Sequence, residues 1–374
     1  MKPSANATVC ALLLITPIAL TPGARADSQP WHWRFQPPAK SHWDLVIFER
    51  LKNTGTQDMV HFWVGFDAKG ARKNQQQKMV RETSVDEASR RVRFDLEVLP
   101  VEVLPGEADN SVLRWTFRGM EVTRERDSDA ASTFGDETLD ANSRLQMQKQ
   151  RLIGLQKRRN DENRAARRFS RKLAGASFSC AVNGAGRITR SGGWEIWQKR
   201  VSAAISQAND GSFLQMAFPA LLTPTGMKNW VQGWTDGLSN APLQSGQSWQ
   251  FNAKIADLDT LTPVSALTRT LQTRGEKVAV VDETATFRVA SRVASPTPKL
   301  EPNSVAYTFS CQGTRQARLQ IDAWSGIPFR TSRRLEMKGN RGVVNDRGRS
   351  LQDEAFSLLV TSEIVARLHK TQLR

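Results

Sequence analysis

The fold is decided by the stretch Arg91-Val-Arg-Phe-Asp-Leu-Glu-Val98, in which apolar and charged residues alternate. Its apolar positions all fall on one face: Val92, Phe94, Leu96 and Val98. Alternation with a period of two is the pattern of a β-strand that buries one face and exposes the other. The stretch therefore predicts a strand lying over a hydrophobic core, most simply in an antiparallel sheet.

Similar patterns occur on both sides of this stretch. Before and just after it they cover residues 43–51, 59–66 and 111–117; further along they cover 278–281, 285–289, 305–309, 317–321, 329–337 and 356–368. Residues 193–207 and 224–238 show helical spacing instead. We therefore expect a β-rich α+β fold, with curved, half-barrel-like antiparallel sheets packed on a few helices.

An internal duplication would fit two similar segments. Asn110–Gly119 and Asn303–Gly313 share the order of their apolar, hydroxyl and glycine residues. Short alternating strands also resemble each other by chance, so both explanations stay open. A duplication would give either two curved sheets or one large continuous sheet.

The first 26 residues have the pattern of a secretory signal peptide. A basic start at Lys2 is followed by the apolar run Val9–Leu20 and by small residues at Ala24 and Ala26. This pattern predicts cleavage after Ala26 and a periplasmic or secreted protein. No later stretch approaches the roughly 20 apolar residues of a spanning helix, so we do not expect the chain to cross a membrane.

The rest of the chain divides into three regions by composition. Residues 27–123 are β-rich, 124–173 hold an acidic loop followed by a basic helical segment, and 174–374 form an α+β region. The whole chain has 53 Lys and Arg against 37 Asp and Glu, for a formal charge of +16. In an exported protein this charge points away from nucleic acid and towards anionic envelope polymers or lipid headgroups.

The basic charge is concentrated in residues 144–172, which carry 11 basic side chains against two acidic ones. We expect a solvated helix there, with a break allowed at Gly154. The candidate anion-docking residues are Lys157, Arg158, Arg159, Arg164, Arg167 and Arg168. The alternative is a charged face that only keeps the protein soluble.

Cleavage after Ala26 would leave two cysteines, Cys180 and Cys311. An even number of cysteines in an oxidising compartment predicts a disulfide, and the alternative is two separate buried thiols. Two cysteines and scattered histidines match no metal-ligand spacing, so we expect no metal and no cofactor.

An apolar stripe follows the second predicted helix. Its members are Met227, Trp230, Val231, Trp234 and Leu238. The stripe either belongs to the core or forms a lid over a ligand cavity. No nucleophile elbow, zinc-binding His-Glu-x-x-His or phosphate-binding glycine loop is present, so we expect a protein that is not an enzyme.

Four segments resemble an uncharacterised family of exported bacterial β-rich proteins. They are Leu113–Val122, Leu173–Ile188, Pro242–Trp249 and Ala317–Phe329. A looser resemblance is to the half-barrels of periplasmic lipoprotein carriers, in which a curved sheet folds over helices around an apolar cavity. Those carriers are about half as long as this chain, so no residue role transfers from them.

Two functions follow from these observations. The leading one is non-catalytic binding of an apolar or amphipathic envelope molecule, such as a lipid or lipoprotein-like ligand, in a sheet-and-helix cavity. The alternative is an interaction module, which would bind an anionic envelope polymer or a protein partner through the basic segment 144–172. A hydrolase would need paired carboxylates in a cleft, which sequence spacing does not show.

Overall fold

A computed structural model describes most of the chain after the predicted signal peptide. The described residues are 30–66, 72–99, 111–126, 141–206, 224–235, 237–239, 241–254, 264–294, 306–344 and 350–369. The signal peptide predicted over residues 1–26 lies outside them.

Eleven strands and three helices are described. The strands are β1 (His42–Phe66), β2 (Arg72–Leu99), β3 (Ser111–Arg126), β4 (Ser177–Val182), β5 (Ile188–Gly192), β6 (Ser248–Lys254), β7 (Val264–Arg274), β8 (Val278–Ala294), β9 (Ala306–Asp322), β10 (Pro328–Val344) and β11 (Ser350–Leu368). The helices are α1 (Ala141–Leu173), α2 (Trp194–Ser206) and α3 (Pro224–Thr235).

All eleven strands belong to one antiparallel sheet, which is curved and unclosed. Its order is β5-β4-β3-β2-β1-β11-β10-β9-β8-β7-β6, so two meanders meet where β1 pairs with β11. The β-rich α+β fold predicted from the alternation is confirmed. The sheet is a single continuous one, and whether its two arms are a duplication stays a prediction.

Helices α1 and α2 pack against β3 and β4 on one arm of the sheet, whereas α3 contacts α2 and also β6 of the other arm. We call the sheet face that carries the buried side chains the inner face, and the opposite one the outer face. The helix-packed core lies on the inner face beneath the helices. Its large buried side chains include Phe35, Phe94, Trp115, Phe117, Phe178, Trp197 and Trp234. Their rings meet mostly edge to face, as Phe94 and Phe117 do at 5.6 Å, which is a preferred aromatic geometry.

Helix α1 is continuous over 33 residues, without the break allowed at Gly154. Its C-terminal part is anchored to the sheet, because Phe169 and Leu173 are buried and the Ser170 hydroxyl accepts a hydrogen bond from the Met120 amide at 3.0 Å. A helix of this length spans about 50 Å. Among the side chains of α1 that the structure describes, those of Ala166, Phe169 and Leu173 belong to the helix-packed core.

An extended segment, Pro30–Lys40, crosses the inner side before β1 begins. Trp31 pairs its backbone with Leu243, with both amide–carbonyl distances at 2.8 Å. The Trp33 indole donates to the carbonyl of Gly326 at 3.0 Å. The segment therefore joins the chain before β6 to the turn between β9 and β10.

The predicted disulfide is wrong for this structure, because both cysteines are free thiols. Cys180 lies on β4 and Cys311 on β9, with five strands between them. Neighbouring strands are about 4.8 Å apart, whereas a disulfide needs Cα atoms within about 7 Å. Both thiols are buried, as the alternative prediction held, and burial raises the pKa of Cys180 to about 12.

Candidate ligand-binding site

Two residues of the predicted stripe on α3 lie in the helix-packed core. Val231 and Trp234 are fully buried, and the Trp234 ring stands edge-on to Trp115 at 5.5 Å. Leu238 is half-buried and follows the end of α3. The side chains of Met227 and Trp230 lie outside the described residues. The structure thus places the described helical members of the stripe as core residues, and a lid role for the stripe stays a prediction.

Helix α3 is fixed to the turn between β4 and β5 by its polar side chains. The Thr235 hydroxyl and the Gln232 amide both donate to the carbonyl of Gly186, at 2.8 and 3.0 Å. Gln232 also accepts a hydrogen bond from the Ile188 amide at 2.9 Å. Gly186 has a φ of +77°, and a Cβ there would collide with the Thr235 carbonyl. The turn and the helix therefore fit together only with glycine at this position.

Sequence reasoning missed a band of polar residues that crosses the inner face, all of them buried except the half-buried Arg90. We call it the charged row; its members are Arg90, Glu49, Ser362, Arg333, Arg315, Glu283 and Arg269. Strand register brings most of them side by side, since Glu49 faces both Arg90 and Ser362, and Ser362 faces Arg333. These residues come from seven strands and lie far apart in the chain, so no local motif marks them.

Glu283 is the centre of the charged row. It accepts from Arg269 Nε at 2.9 Å, and its other oxygen lies 2.9 Å from Arg315 Nε. Burial by itself raises the pKa of Glu283, but the charges of Arg315, Arg269 and Arg333 outweigh it and lower the pKa to about 2. Glu283 is therefore a buried carboxylate that is ionised at neutral pH.

Arg269 connects the charged row to aromatic side chains. Its guanidinium lies 4.6 Å from the ring centre of Phe251 and 5.2 Å from that of Trp33. Such cation–π contacts stabilise a buried arginine that also pairs with a carboxylate. Arg333 donates to the carbonyl of Gly233 at 3.3 Å and so ties β10 to α3.

An apolar surface lies next to the charged row on the inner face. We call it the apolar floor; it consists of Leu51, Phe287, Val289, Phe309, Cys311, Leu335, Met337, Phe356, Leu358 and Val360. Phe309 and Phe356 stack at 5.3 Å. Four of its members are only half-buried: Leu51, Val289, Phe309 and Leu358. The floor is built from β1, β8, β9, β10 and β11.

Two glycines shape the floor. A Cβ on Gly313 would meet the ring of Phe287, which lies beside it on β8. A Cβ on Gly339 would collide with the carbonyl of Ser310 and with Cys311. Glycine at these positions therefore allows a close approach of the neighbouring strands that a side chain would prevent.

Most of the candidate anion-docking residues are exposed on α1. The exposed ones are Lys157, Arg159, Arg164, Arg167 and Arg168, while the side chain of Arg158 lies outside the described residues. Arg164 pairs with Asp161 at 3.0 Å. Three large apolar residues of the same helix are exposed as well: Leu145, Leu152 and Ile153.

The part of the chain that the structure describes contains no group of three or more His, Cys, Asp or Glu side chains that could hold a metal ion. Within the same residues, no helix is both long enough and apolar enough to span a bilayer.

The fold and the inner face define a β-rich α+β protein, built on one large open sheet with a few helices packed on it. By sequence the chain belongs to DUF6263, a family of unknown function, whose model matches residues 138–328. A comparison with curated proteins gives no match.

Three solved structures show weak similarity. One, on lipid–protein interactions in lipovitellin, is 10% identical with a TM-score of 0.34; the match covers 91% of this chain but only 26% of that one. An outer membrane channel from Pseudomonas putida F1 is 8% identical with a TM-score of 0.17, over 89% and 98% of the two chains. OpdQ of Pseudomonas aeruginosa is 6% identical with a TM-score of 0.18, over 87% and 98%.

Proposed function

We propose that this chain is an exported, non-catalytic binding protein that holds an apolar or amphipathic molecule, such as a lipid or lipoprotein-like ligand, on the apolar floor. The observation that carries the proposal is the floor itself. Leu51, Val289, Phe309 and Leu358 come together on the inner face of five strands and stay half-buried. A ligand that covers them gains roughly 25 cal/mol for each Å² of apolar surface removed from water.

The charged row gives the ligand an orientation. An apolar chain that extended past Leu335 towards Arg315 and Glu283 would meet buried charged groups instead of apolar ones. Replacing polar neighbours of a charge by hydrocarbon costs free energy. The apolar part of the ligand therefore stays on the floor, and any polar part lies at one of its margins.

The test is binding of the fluorescent probe N-phenyl-1-naphthylamine to the exported, mature protein. The variant Leu358→Gln places an amide in the floor, and Phe48→Gln is its control on the outer face, where Phe48 is 45% exposed. We expect the wild type and Phe48→Gln to bind the probe, and Leu358→Gln to bind about tenfold more weakly. Thermal unfolding of all three shows whether the folded state is retained.

Native mass spectrometry of the same preparation tests the rest of the proposal. A mass that begins at Asp27 supports export with cleavage after Ala26, and a co-purified lipid-sized adduct supports an amphipathic ligand. Equal probe binding by Leu358→Gln and the wild type would refute the floor as the site. An intact N-terminus in periplasmic protein would refute the cleavage.

The basic face of α1 supports a second candidate function, docking of an anionic envelope polymer. Residues 144–172 carry a net charge of +9, and the side chains of Lys157, Arg167 and Arg168 are exposed. Polyphosphate is a suitable probe. Its binding would weaken steeply with salt, because exposed charges are screened beyond about 8 Å at physiological ionic strength. Probe binding on the apolar floor would barely change with salt.

A further inference from the structure

The outer face carries a groove, on the opposite side of the sheet from the side chains of the apolar floor. One line of its residues runs straight across five strands in register, from β8 to β1: Arg288, Gln312, Lys338, Ser357 and Thr54. A second line, two residues further along each strand, is Ala290, Ser310, Asn340, Ala355 and Thr56. With Val289, Cys311, Gly339 and Phe356 they line an open groove of about 670 Å³, within the size range of small-molecule sites.

Ion pairing differs between the groove and other parts of the outer face. Four exposed arginines elsewhere on this face pair with carboxylates: Arg118 with Asp95, Arg318 with Asp282, Arg330 with Glu363 and Arg334 with Glu336. Among the residues that line the groove, by contrast, there are two cations, Arg288 and Lys338, and no carboxylate. Within the described chain, neither of these two cations has an ion-pair partner.

The spacing of the two cations suits a single small anion. Arg288 on β8 and Lys338 on β10 are separated by one strand, which places their backbones about 10 Å apart. Both side chains are long enough to meet above Gln312, which lies between them on β9. A guanidinium offers a planar pair of donors that matches two phosphate oxygens, and an ammonium adds a point charge.

The rest of the groove is uncharged and combines apolar side chains, such as Ala290 and Ala355, with groups that form hydrogen bonds. Ser357, Thr54, Ser310 and Asn340 present hydroxyl and amide groups, which both donate and accept. Such groups match the hydroxyls of a sugar, and the groove is larger than a phosphate alone would fill. We propose that this outer-face groove binds a sugar phosphate, with the phosphate between Arg288 and Lys338 and the sugar on the Ser357 side.

Isothermal titration calorimetry of the mature protein with glucose 1-phosphate tests the proposal. The double variant Arg288→Gln/Lys338→Gln removes both cations. A charged hydrogen bond contributes about 1.5–3 kcal/mol, so we expect the double variant to bind about 10- to 100-fold more weakly or not measurably. The charge-matched control is Arg318→Gln/Lys277→Gln, whose residues are exposed and outside the groove. It should bind as the wild type does.

A gain of charge gives an independent readout. Ser357→Glu places a carboxylate in the groove and should abolish binding of glucose 1-phosphate while leaving the thermal unfolding temperature close to that of the wild type. Because the groove lies on the face opposite the apolar floor, none of these variants should alter binding of N-phenyl-1-naphthylamine. Failure here is thus distinguishable from failure of the proposed function.

Three outcomes would overturn the proposal. No heat of binding with millimolar glucose 1-phosphate would exclude the site for this ligand class. Equal affinity for inorganic phosphate and glucose 1-phosphate would show that the sugar makes no contact. Binding to phosphatidylglycerol vesicles through Arg288 and Lys338, without binding to glucose 1-phosphate, would assign the groove to a membrane surface instead.

Discussion

The helix-packed core and the apolar floor lie on the same face of one sheet, yet they are packed differently. In the core, rings from α2 and α3 insert between those of the strands, and Trp115, Trp197 and Trp234 are all at most 1% exposed. On the floor, aliphatic and aromatic side chains lie beside one another, and Leu358 and Phe309 stay half-buried. Period-two alternation decides which residues face inwards, whereas helices that cover the strands decide whether those residues become fully buried.

The largest difference in unfolding free energy between the two regions should appear when one apolar side chain in each is truncated to alanine. Trp234→Ala removes a side chain that contacts Trp115 and Phe35, and should lower the free energy of unfolding by about 3–5 kcal/mol. Leu358→Ala on the floor should cost about 1–2 kcal/mol, because less of its surface is buried to begin with. Urea denaturation followed by circular dichroism measures both. Equal losses would show that the floor is packed as tightly as the core.

The charged row that borders the floor should be nearly as sensitive. Glu283→Gln leaves three buried arginines without their carboxylate and should cost about 3–5 kcal/mol at pH 7. Glu363→Gln breaks the exposed pair with Arg330 and should cost at most about 1 kcal/mol. If both variants lost the same amount in urea denaturation, the charged row would contribute no more than a surface ion pair.

The same carboxylate predicts a pH dependence. The pKa of Glu283 is lowered from 4.5 to about 2 on folding, so its ionised form stabilises the folded state at pH values above about 4.5. This contribution is lost progressively as the pH falls from about 4.5 to about 2. The difference in unfolding free energy between the wild type and Glu283→Gln should therefore shrink across this window. A constant difference would contradict the lowered pKa.

The smallest expected effect concerns the close backbone approach at Gly339 in the floor. Gly339→Ala would drive a methyl group into the carbonyl of Ser310 and should cost about 1–3 kcal/mol. Gly154→Ala is the matched control, because a Cβ at this exposed helical position meets no neighbouring atom within 4 Å. Alanine there should stabilise α1 by up to about 1 kcal/mol. Thermal unfolding of the two variants should thus shift in opposite directions.

Individual strands and helices could be predicted because the apolar residues of each recur with a characteristic spacing. The single parity of Phe356, Leu358, Val360 and Ile364 predicted a strand, and these residues lie on β11. The spacing of Val231 and Trp234 predicted a helix, and α3 is confirmed. That spacing does not distinguish a core helix from a lid, since both need an apolar face.

The remaining features depend on strand order and register, which local patterns do not contain. Arg269, Glu283 and Arg315 lie on three neighbouring strands, β7, β8 and β9, and meet only because the register places Arg269 opposite Glu283 and Arg315 two residues away along β9 on the same inner face. The same limit explains why the disulfide prediction was wrong. An even cysteine count indicates that pairing is chemically allowed, but only the strand order shows that Cys180 and Cys311 lie on different arms of the sheet.

The pairing of β1 with β11 has a consequence for how the chain is made. Trp43 pairs with Leu368, so the seam that joins the two meanders connects nearly the first described residue to nearly the last. Until β11 has been synthesised, β1 and β10 each present a long unpaired edge, and such edges are templates for aggregation. Contacts this distant in sequence also form slowly. The synthesis of β11 is therefore the step that allows the two meanders to join into one sheet.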